Sequence, residues 1–251
     1  MASFRAEYPA AQRLDLVEDL FGHRVADPYR WLEDADSPQT TQWLAAEESL
    51  WEGYQAGLPD RETFASRVRE LLRVGSVGLP AWRGTSRFYT RRDPDQEHAV
   101  LYVANHEISG MSGAPAPGIP ESDAGERVLI DPVAIDPSGR TTLDAWQPDK
   151  EGRLLAYQLS HGGDEESLLR VLDVATGELV DGPIDRCRYS GVAWLPGGKA
   201  FYYVRRLPPD AVPEGEQQYH RRVYLHTVGQ SPDSDIELFG AGRDKIGRAH
   251  V

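Results

Sequence analysis

The sequence has very little cysteine and lacks any long apolar run. Cys187 is the single cysteine among 251 residues, so the chain can form no internal disulfide, and nothing indicates an oxidising compartment. No 18 consecutive residues are apolar, and residues 1–20 are too polar for a signal peptide. We therefore expect no membrane association and a cytoplasmic location.

Basic residues are also scarce. The chain has 27 Lys and Arg against 40 Asp and Glu, which gives a formal net charge of −13 and a pI of about 5.0. Binding to nucleic acid requires clustered Lys and Arg that contact phosphates, so this composition argues against a nucleic-acid partner. Phosphate-binding glycine loops of the P-loop or Rossmann type do not occur. The charge favours a soluble monomer through self-repulsion.

Helix signals are confined to the first 75 residues. Residues 1–25 read as an extended arm with a tight bend at Gly22, because proline and alternating polar residues interrupt them. Helix caps are predicted at Asp27, Ser37 and Asp60, and proline follows the first two at the favoured first helical position. We expect the second helix to end at Gly57 and the third at Gly75.

Short β-rich runs separated by Gly, Pro and Asp turns begin after Gly75. The runs cover residues 87–90, 99–103, 128–130, 154–159, 168–174, 200–204 and 223–228. Residues 106–126 are rich in Gly, Pro and Ser and read as an insertion between strands. This spacing is typical of a sandwich, a barrel or a propeller.

An internal repeat favours the propeller. Ala145-Trp146-Gln147-Pro148 and Ala193-Trp194-Leu195-Pro196 each precede a glycine turn, a basic residue and a strand that contains Tyr. The two tryptophans lie 48 residues apart, within the range of roughly 40–50 residues for one propeller blade. A looser copy begins at Ala81-Trp82. The predicted fold class is therefore mainly β, with about three blades after a helical N-terminal segment.

One longer string carries a family resemblance. Residues 22–34 read G-H-R-V-A-D-P-Y-R-W-L-E-D, and residues 36–40 read D-S-P-Q-T. This resembles the N-terminal signature of the prolyl oligopeptidase (prolyl endopeptidase) family of serine peptidases, G-H-x-V-x-D-P-Y-x-W-L-E-D followed by D-S-x-x-T. The resemblance implies that residues 1–75 belong to an α/β-hydrolase domain and that residues 76–245 are the first blades of a seven-bladed β-propeller.

The same resemblance implies an activity. Members hydrolyse short peptides after proline with a Ser/His/Asp triad and without a metal or organic cofactor, while the propeller excludes folded proteins from the active site. The expected partners of the parent enzyme are therefore short proline-containing peptides.

The catalytic signature of such an enzyme is missing from this sequence. A nucleophile elbow needs G-x-S-x-G between a strand and a helix, and no serine has it. Ser112 comes closest but lacks the last glycine, and His250 has no acidic partner motif. In the family the triad lies in the C-terminal part of the hydrolase. We therefore expect it beyond residue 251, and expect this chain to be an inactive N-terminal fragment. Residues 246–251 resemble a translated sequencing adapter, so we expect them to be a non-native tail.

Three other groups of residues invite a functional interpretation, and for each we favour a structural one. Cys187 has no supporting catalytic partners, and residues 161–166 (H-G-G-D-E-E) lack a second His at metal-ligand spacing, so we expect a solvated loop and no metal site. The pairs Arg205-Arg206 and Arg221-Arg222 could line a tunnel or meet an acidic partner, but charge on an edge strand is the commoner reason.

Two alternatives to the prolyl endopeptidase remain open. Within the family, an oligopeptidase that cleaves after basic residues has the same fold. A non-catalytic β-propeller that binds a protein or peptide comes from a different class, because one fold serves many functions. Sequence downstream of this chain discriminates them, since only an enzyme needs a later nucleophile elbow.

Overall fold

The computed structural model describes residues 7–105 and 125–243, which fall into two compact units, Met1–Leu72 and Arg73–Val251. The first unit contains a short β-hairpin and two helices, and the second consists mainly of antiparallel sheet. In these two ranges no helix is long and apolar enough to cross a lipid bilayer.

The predicted arm of the first unit folds back on itself as a hairpin. Strand β1 (Val17–Leu20) pairs antiparallel with β2 (His23–Ala26). The turn between them puts both Phe21 and Gly22 in the left-handed region, at φ 56° and 82°. Glycine adopts this conformation without steric cost, so the tight bend predicted at Gly22 is confirmed.

The predicted helix start at Asp27 is wrong. A short 3-10 helix begins only at Arg30 and ends at Glu33, and its N-terminus has no side-chain cap. The Asp27 carboxylate instead accepts a hydrogen bond from the Arg30 guanidinium at 2.6 Å, and Arg30 also donates to Glu18 of β1. The aspartate therefore joins the helical turn to the hairpin through a charged side chain.

The two longer helices start where the sequence predicts. Helix α1 (Pro38–Ala56) is capped by Ser37, whose hydroxyl accepts from the Thr40 amide at 3.2 Å, and it ends at Gly57. Helix α2 (Arg61–Leu72) follows Asp60 but ends before Gly75. Its apolar residues are exposed: Phe64, Val68, Leu71 and Leu72.

The second unit contains three antiparallel sheets. Blade 1 consists of β3 (Ser76–Val77), β4 (Ala81–Arg83), β5 (Ser86–Arg92), β6 (Val100–Asn105) and β7 (Arg127–Ile130). Blade 2 follows helix α3 (Pro132–Ile135) and consists of β8 (Thr141–Pro148), β9 (Leu154–His161), β10 (Leu168–Asp173) and β11 (Leu179–Ile184). Blade 3 consists of β12 (Val192–Trp194), β13 (Ala200–Arg206), β14 (Arg221–Thr227) and β15 (Ile236–Phe239). The strands of blades 2 and 3 pair with their neighbours in sequence, whereas in blade 1 both β3 and β4 pair with β5.

The tryptophan repeat marks equivalent places in these blades. Trp82, Trp146 and Trp194 lie in β4, β8 and β12, each of which leads through a turn into the next strand of its sheet. Three consecutive blades of this kind form a partial β-propeller, as predicted. All seven predicted β-rich runs fall on strands, whereas six strands of the second unit lie outside these runs: β3, β4, β8, β11, β12 and β15.

The apolar core lies between neighbouring blades. One cluster joins Phe88, Leu101, Val103 and Ile130 of blade 1 to Leu155, Tyr157, Leu159 and Leu172 of blade 2. A second joins Ala156, Leu169, Val171 and Ile184 of blade 2 to Trp194, Phe201 and Tyr203 of blade 3. The indole N–H of Trp194 also donates to the carbonyl of Gln147 in blade 2 at 2.9 Å. Each blade therefore buries its apolar faces against the next blade.

Alternating connections place the loops at two ends of the blades. We call the end with the β9–β10, β11–β12 and β13–β14 connections the upper end, and the end with the β8–β9 and β12–β13 turns the lower end. At the lower end the Asp149 carboxylate accepts from the backbone N–H groups of Arg153 and Leu154 at 2.7 and 3.1 Å. These bonds fix the turn from β8 into β9.

Candidate functional site

Backbone strain is concentrated at the upper end of blades 2 and 3. Six described non-glycine residues have positive φ, and four of them lie in the three upper connections: Glu165, Arg186, Tyr189 and His220. Their φ angles lie between 55° and 59°. Each such residue costs about 1–2 kcal/mol relative to a right-handed conformation. Because strain of this kind clusters at functional sites, this end is the candidate site.

A group of arginines lies at the same end. We call this group the arginine cluster, and its members are Arg186, Arg188, Arg205, Arg206, Arg221 and Arg222. Arg205 lies opposite Arg222, and Arg206 opposite Arg221, in the β13–β14 pairing. All four are buried. The prediction of edge-strand charge is wrong here, because β13 and β14 are the two central strands of blade 3.

Carboxylates from neighbouring loops pair with this cluster. Arg206 donates to Glu166, and Arg205 donates to Asp185. Burial alone would raise the pKa of the Asp185 carboxyl, but the hydrogen bond and the charge of Arg205 outweigh it and hold that pKa below its ordinary value. Buried charges are stable only when they are paired in this way. The acidic partners of these arginines therefore lie in the chain itself.

The predicted solvated loop takes part in these pairs. Residues 161–166 connect β9 to β10, as expected. However, Glu165 binds Arg188 of the β11–β12 connection, and Glu166 binds Arg206 of β13 in blade 3. Among the residues that the structure describes, no group of three His, Cys, Asp or Glu side chains could hold a metal ion. The acidic loop thus joins blade 2 to blade 3 through ion pairs.

Tyr189 presents an aromatic ring at this end. Its side chain is 46% exposed, and the Arg188 guanidinium carbon lies 5.2 Å from the ring centroid. The Tyr189 hydroxyl and the Arg188 guanidinium both donate to the same Glu165 carboxylate. The ring is therefore held in one orientation while part of its surface faces solvent. Such a surface can bind an apolar or proline-containing group, but it carries no nucleophile.

A cavity of about 500 Å³ opens between blades 1 and 2. Its lining includes Thr90, His98, Asp144 and Trp146. Asp144 accepts from the Ser167 hydroxyl at 2.6 Å, and Ser167 ends the loop that carries Glu165. The polar groups of this cavity are therefore continuous with those at the upper end.

The single cysteine lies beneath this surface and is inert. Cys187 is fully buried, and burial raises the pKa of its thiol to about 12. Its sulfur donates to the carbonyl of Asp185 at 3.3 Å. A thiol with this pKa is protonated at neutral pH and is a poor nucleophile. Ser112 and His250, the other candidates weighed from the sequence, lie outside the described residues.

Sequence reasoning missed Tyr189 as a candidate. A signal was available, because Tyr189 lies just before β12, whose Trp194 marks the repeat, so it must fall in the connection between two blades. Its left-handed backbone and its pairing with Glu165 have no counterpart in the sequence pattern. Only the fold brings these loops together.

Comparisons with known proteins agree with this architecture. Residues 8–249 match the family model described as the N-terminal β-propeller domain of prolyl oligopeptidase. The chain is 28% identical over 247 residues to a prolyl endopeptidase of Elizabethkingia meningoseptica, covering 98% of this chain and 32% of the relative. It is 23% identical over 254 residues to prolyl oligopeptidase A of Amanita bisporigera, covering 91% of this chain and 32% of that protein.

Solved structures give the same result. A structure from a study of two prolyl endopeptidases superposes with a TM-score of 0.77 at 31% identity, covering 92% of this chain and 32% of that one. Prolyl oligopeptidase B from Galerina marginata, bound to a 35-residue hydrolysis and macrocyclisation substrate, shares the fold with a TM-score of 0.71 at 21% identity, covering 93% of this chain and 34% of that one. The chain thus spans about a third of the length of these relatives. It belongs to the prolyl oligopeptidase family and matches the family's N-terminal β-propeller domain.

Proposed function

We propose that this chain is the N-terminal part of a serine endopeptidase that hydrolyses short peptides after proline, with the propeller controlling access to the active site. The observation that carries the proposal is the match along nearly the whole chain to relatives named prolyl endopeptidases. On this proposal the Ser/His/Asp triad comes from sequence beyond residue 251, with no metal or organic cofactor.

Exposed apolar side chains in the helical unit support the proposal that a further domain packs against it. The apolar side chains of α2, including Phe64 and Leu72, are exposed rather than buried. In the proposed parent enzyme, residues 1–75 would be part of an α/β-hydrolase domain, whose remaining residues would cover these side chains. Residues 76–245 would form the first blades of the seven-bladed ring. The assignment of residues 246–251 as a non-native tail stays a prediction. The single cysteine and the net charge of −13 support a monomeric enzyme in the cytoplasm as part of the same proposal.

The upper end of blades 2 and 3 is where we propose that the peptide passes. Proline-rich segments bind aromatic surfaces because the rigid ring packs flat and loses little conformational entropy. Tyr189 offers such a surface, and Arg188 and Glu165 fix its orientation. Five of the six arginines in the cluster form ion pairs with carboxylates of this chain, so most of the charge around Tyr189 is balanced without a charged peptide.

The first test is to sequence the native gene beyond the codon for Asp244 and assay the complete product. We expect a G-x-S-x-G elbow followed by a late Asp and His, and cleavage of a chromogenic peptide after proline. The 251-residue chain should be inactive in the same assay. A stop codon shortly after ring closure would contradict the enzyme proposal and favour a binding propeller, and preferred cleavage after Arg or Lys would assign the alternative specificity.

Variants at Tyr189 test the role of the upper end in that complete enzyme. Tyr189→Ala removes the aromatic surface and should raise KM for proline-containing peptides several-fold, with a smaller effect on kcat. Tyr189→Phe is the matched control, because it keeps the ring and removes only the hydroxyl that binds Glu165. Equal kinetics for wild type and Tyr189→Ala would exclude peptide contact at this residue. Access control is tested by comparing the rates at which the complete enzyme cleaves an octapeptide and a folded protein that carries the same sequence in a loop. Only the octapeptide should be cleaved.

A further inference from the structure

A fully buried histidine lies at the junction of blades 2 and 3, between one carboxylate 45 residues away in sequence and another nine residues away. His226 of β14 has both ring nitrogens within hydrogen-bond distance of a carboxylate. Its Nε2 lies 2.8 Å from Oδ2 of Asp181, and its Nδ1 lies 2.7 Å from Oδ1 of Asp235. We call these three residues the Asp–His–Asp bridge. Asp181 belongs to β11 of blade 2 and Asp235 to the turn before β15 of blade 3, so the imidazole spans the junction.

The geometry specifies the protonation state of this ring. A carboxylate can only accept hydrogen bonds, whereas a neutral imidazole has a single N–H group to donate. Both contacts are satisfied together only when the ring carries two protons. Its two partners are almost completely buried, with side chains 6% and 2% exposed, so water cannot replace a missing donor. The histidine is therefore an imidazolium inside the propeller.

Further donors stabilise the two carboxylates. The backbone N–H of Gly229 donates to Oδ2 of Asp181 at 2.7 Å, and the hydroxyl of Tyr203 donates to Oδ2 of Asp235 at 2.6 Å. Because these donors occupy part of the acceptor capacity of each carboxylate, the remaining contacts with His226 are satisfied when the ring donates from both nitrogens. The Phe201 ring, whose centroid is 5.0 Å from that of the imidazole, closes the site with apolar surface.

The electrostatics agree with the geometry. Burial lowers the pKa of His226, but the hydrogen bonds to Asp181 and Asp235 outweigh it, so its pKa is raised above the ordinary value. Burial likewise would raise the pKa of Asp181, yet the bonds from His226 and Gly229 leave that pKa lowered. Tyr203, on the neighbouring strand β13, is a further titratable group that faces the bridge, with its ring centroid 6.1 Å from that of His226. Burial and its bond to Asp235 raise its pKa, so it keeps its proton.

We propose that the Asp–His–Asp bridge is a pH-sensitive connection between blades 2 and 3, which is strong while the imidazole carries two protons and is weakened when alkaline pH removes one. After that loss one carboxylate faces a nitrogen lone pair, so the junction loses a charge-assisted hydrogen bond and gains repulsion. A histidine that is more basic in the folded state stabilises the fold fully below its unfolded pKa of about 6.5. That stability is then lost as the pH rises through the folded value.

The direct test is a titration of the side-chain nitrogens of the whole ¹⁵N-labelled chain by NMR. At pH 7 we expect both nitrogens of His226 to carry protons, and the ring to titrate above pH 6.5. The exposed His23 serves as the reference signal in the same spectra. A single N–H tautomer at pH 7, or titration below pH 6.5, overturns the proposal, and this measurement needs no variant that has to fold.

Stability measurements test the connection itself. The urea midpoint of the wild-type chain should fall between pH 6.5 and pH 9, because above about pH 6.5 the unfolded histidine loses its proton while the folded one still holds it. His226→Gln, which cannot be protonated, should have a lower midpoint at pH 6.5 and lose most of this decline. His161→Gln is the matched control, because His161 is exposed at the end of β9 and its replacement should keep the decline. A wild-type midpoint that stays constant over this range contradicts a connection of this kind.

The blade 2 side of the bridge has its own variant. Asp181→Asn keeps the shape of the side chain but removes the charge, so it should shift the titration of His226 to lower pH. It should also speed amide exchange in β11 and β14, which the bridge joins, more than in blade 1. An unchanged titration of His226 in this variant would show that Asp181 does not hold the proton.

Discussion

Two neighbouring glycines at the lower end allow the contact between blades 2 and 3 to be measured. Gly197 and Gly198, in the turn between β12 and β13, both have positive φ, at 86° and 69°. A Cβ at Gly197 would meet no atom within 4 Å, whereas one at Gly198 would lie 2.6 Å from Oδ2 of Asp149 in blade 2. Asp149 is fully buried and held by two backbone N–H groups, so it cannot move aside without losing them.

The expected costs follow from these distances. Gly197→Ala should lower the free energy of unfolding by about 1–2 kcal/mol, because alanine is strained in the left-handed conformation. Gly198→Ala has a similar backbone cost and adds overpacking against Asp149, about 1–3 kcal/mol more. In an Asp149→Ala background the obstructing carboxylate is gone. The difference between the two glycine variants should then shrink to a few tenths of a kcal/mol, which is about the limit of additivity for independent sites.

Equilibrium urea unfolding of the 251-residue chain, followed by tryptophan fluorescence, measures these differences. The comparison uses the free energies from linear extrapolation and requires equal m-values, because a change in m would mean a change in the unfolded or native state. Equal costs for Gly197→Ala and Gly198→Ala would refute the reasoning. So would a gap that survives unchanged in the Asp149→Ala background, since the blades would then not meet at this carboxylate.

Three further predictions concern local features. Ser37→Ala should lower the free energy of unfolding by about 1 kcal/mol, measured by circular dichroism, because it removes the cap of α1. Cys187 should resist thiol-labelling reagents in native buffer and react at once in denaturant, since it is buried and its pKa is raised to about 12. Hydrogen bonds from Ser138 lower the pKa of Asp136 to about 2, so Ser138→Ala should raise it in an NMR titration. The stabilisation from Asp136 is present above its unfolded pKa of about 3.9 and is lost as the pH falls toward 2.

The sequence predicted the features that depend on local chemistry. Ser37 with Pro38 specified the start of α1, because a hydroxyl cap and a proline at the first position act within one turn. The tryptophan repeat located the blades, because each blade reuses the same turn. At Asp27 the same logic failed: its carboxylate binds Arg30, and a charged partner outweighed the cap.

Contacts between distant segments explain what the sequence did not reveal. Strand β11 contains Gly182-Pro183, residues that usually interrupt strands, yet it lies at the outer edge of blade 2, where the missing N–H of proline is tolerated. The pairing of Arg206 with Glu166 joins residues 40 apart, and no periodicity reports such pairs. The candidate site therefore emerged only when the blades were placed side by side.

The meander order of the strands has a consequence for synthesis on the ribosome. Because the strands of blades 2 and 3 pair with their neighbours in sequence, each of these sheets can form as soon as its last strand emerges, on the microsecond scale of hairpin formation. A ribosome needs on the order of 2–10 s to add the roughly 48 residues of the next blade. Since the core lies between blades, each new sheet waits through that interval with one apolar face uncovered. A nascent chain of this protein therefore exposes an apolar sheet face once per blade, for a time set by the rate of translation.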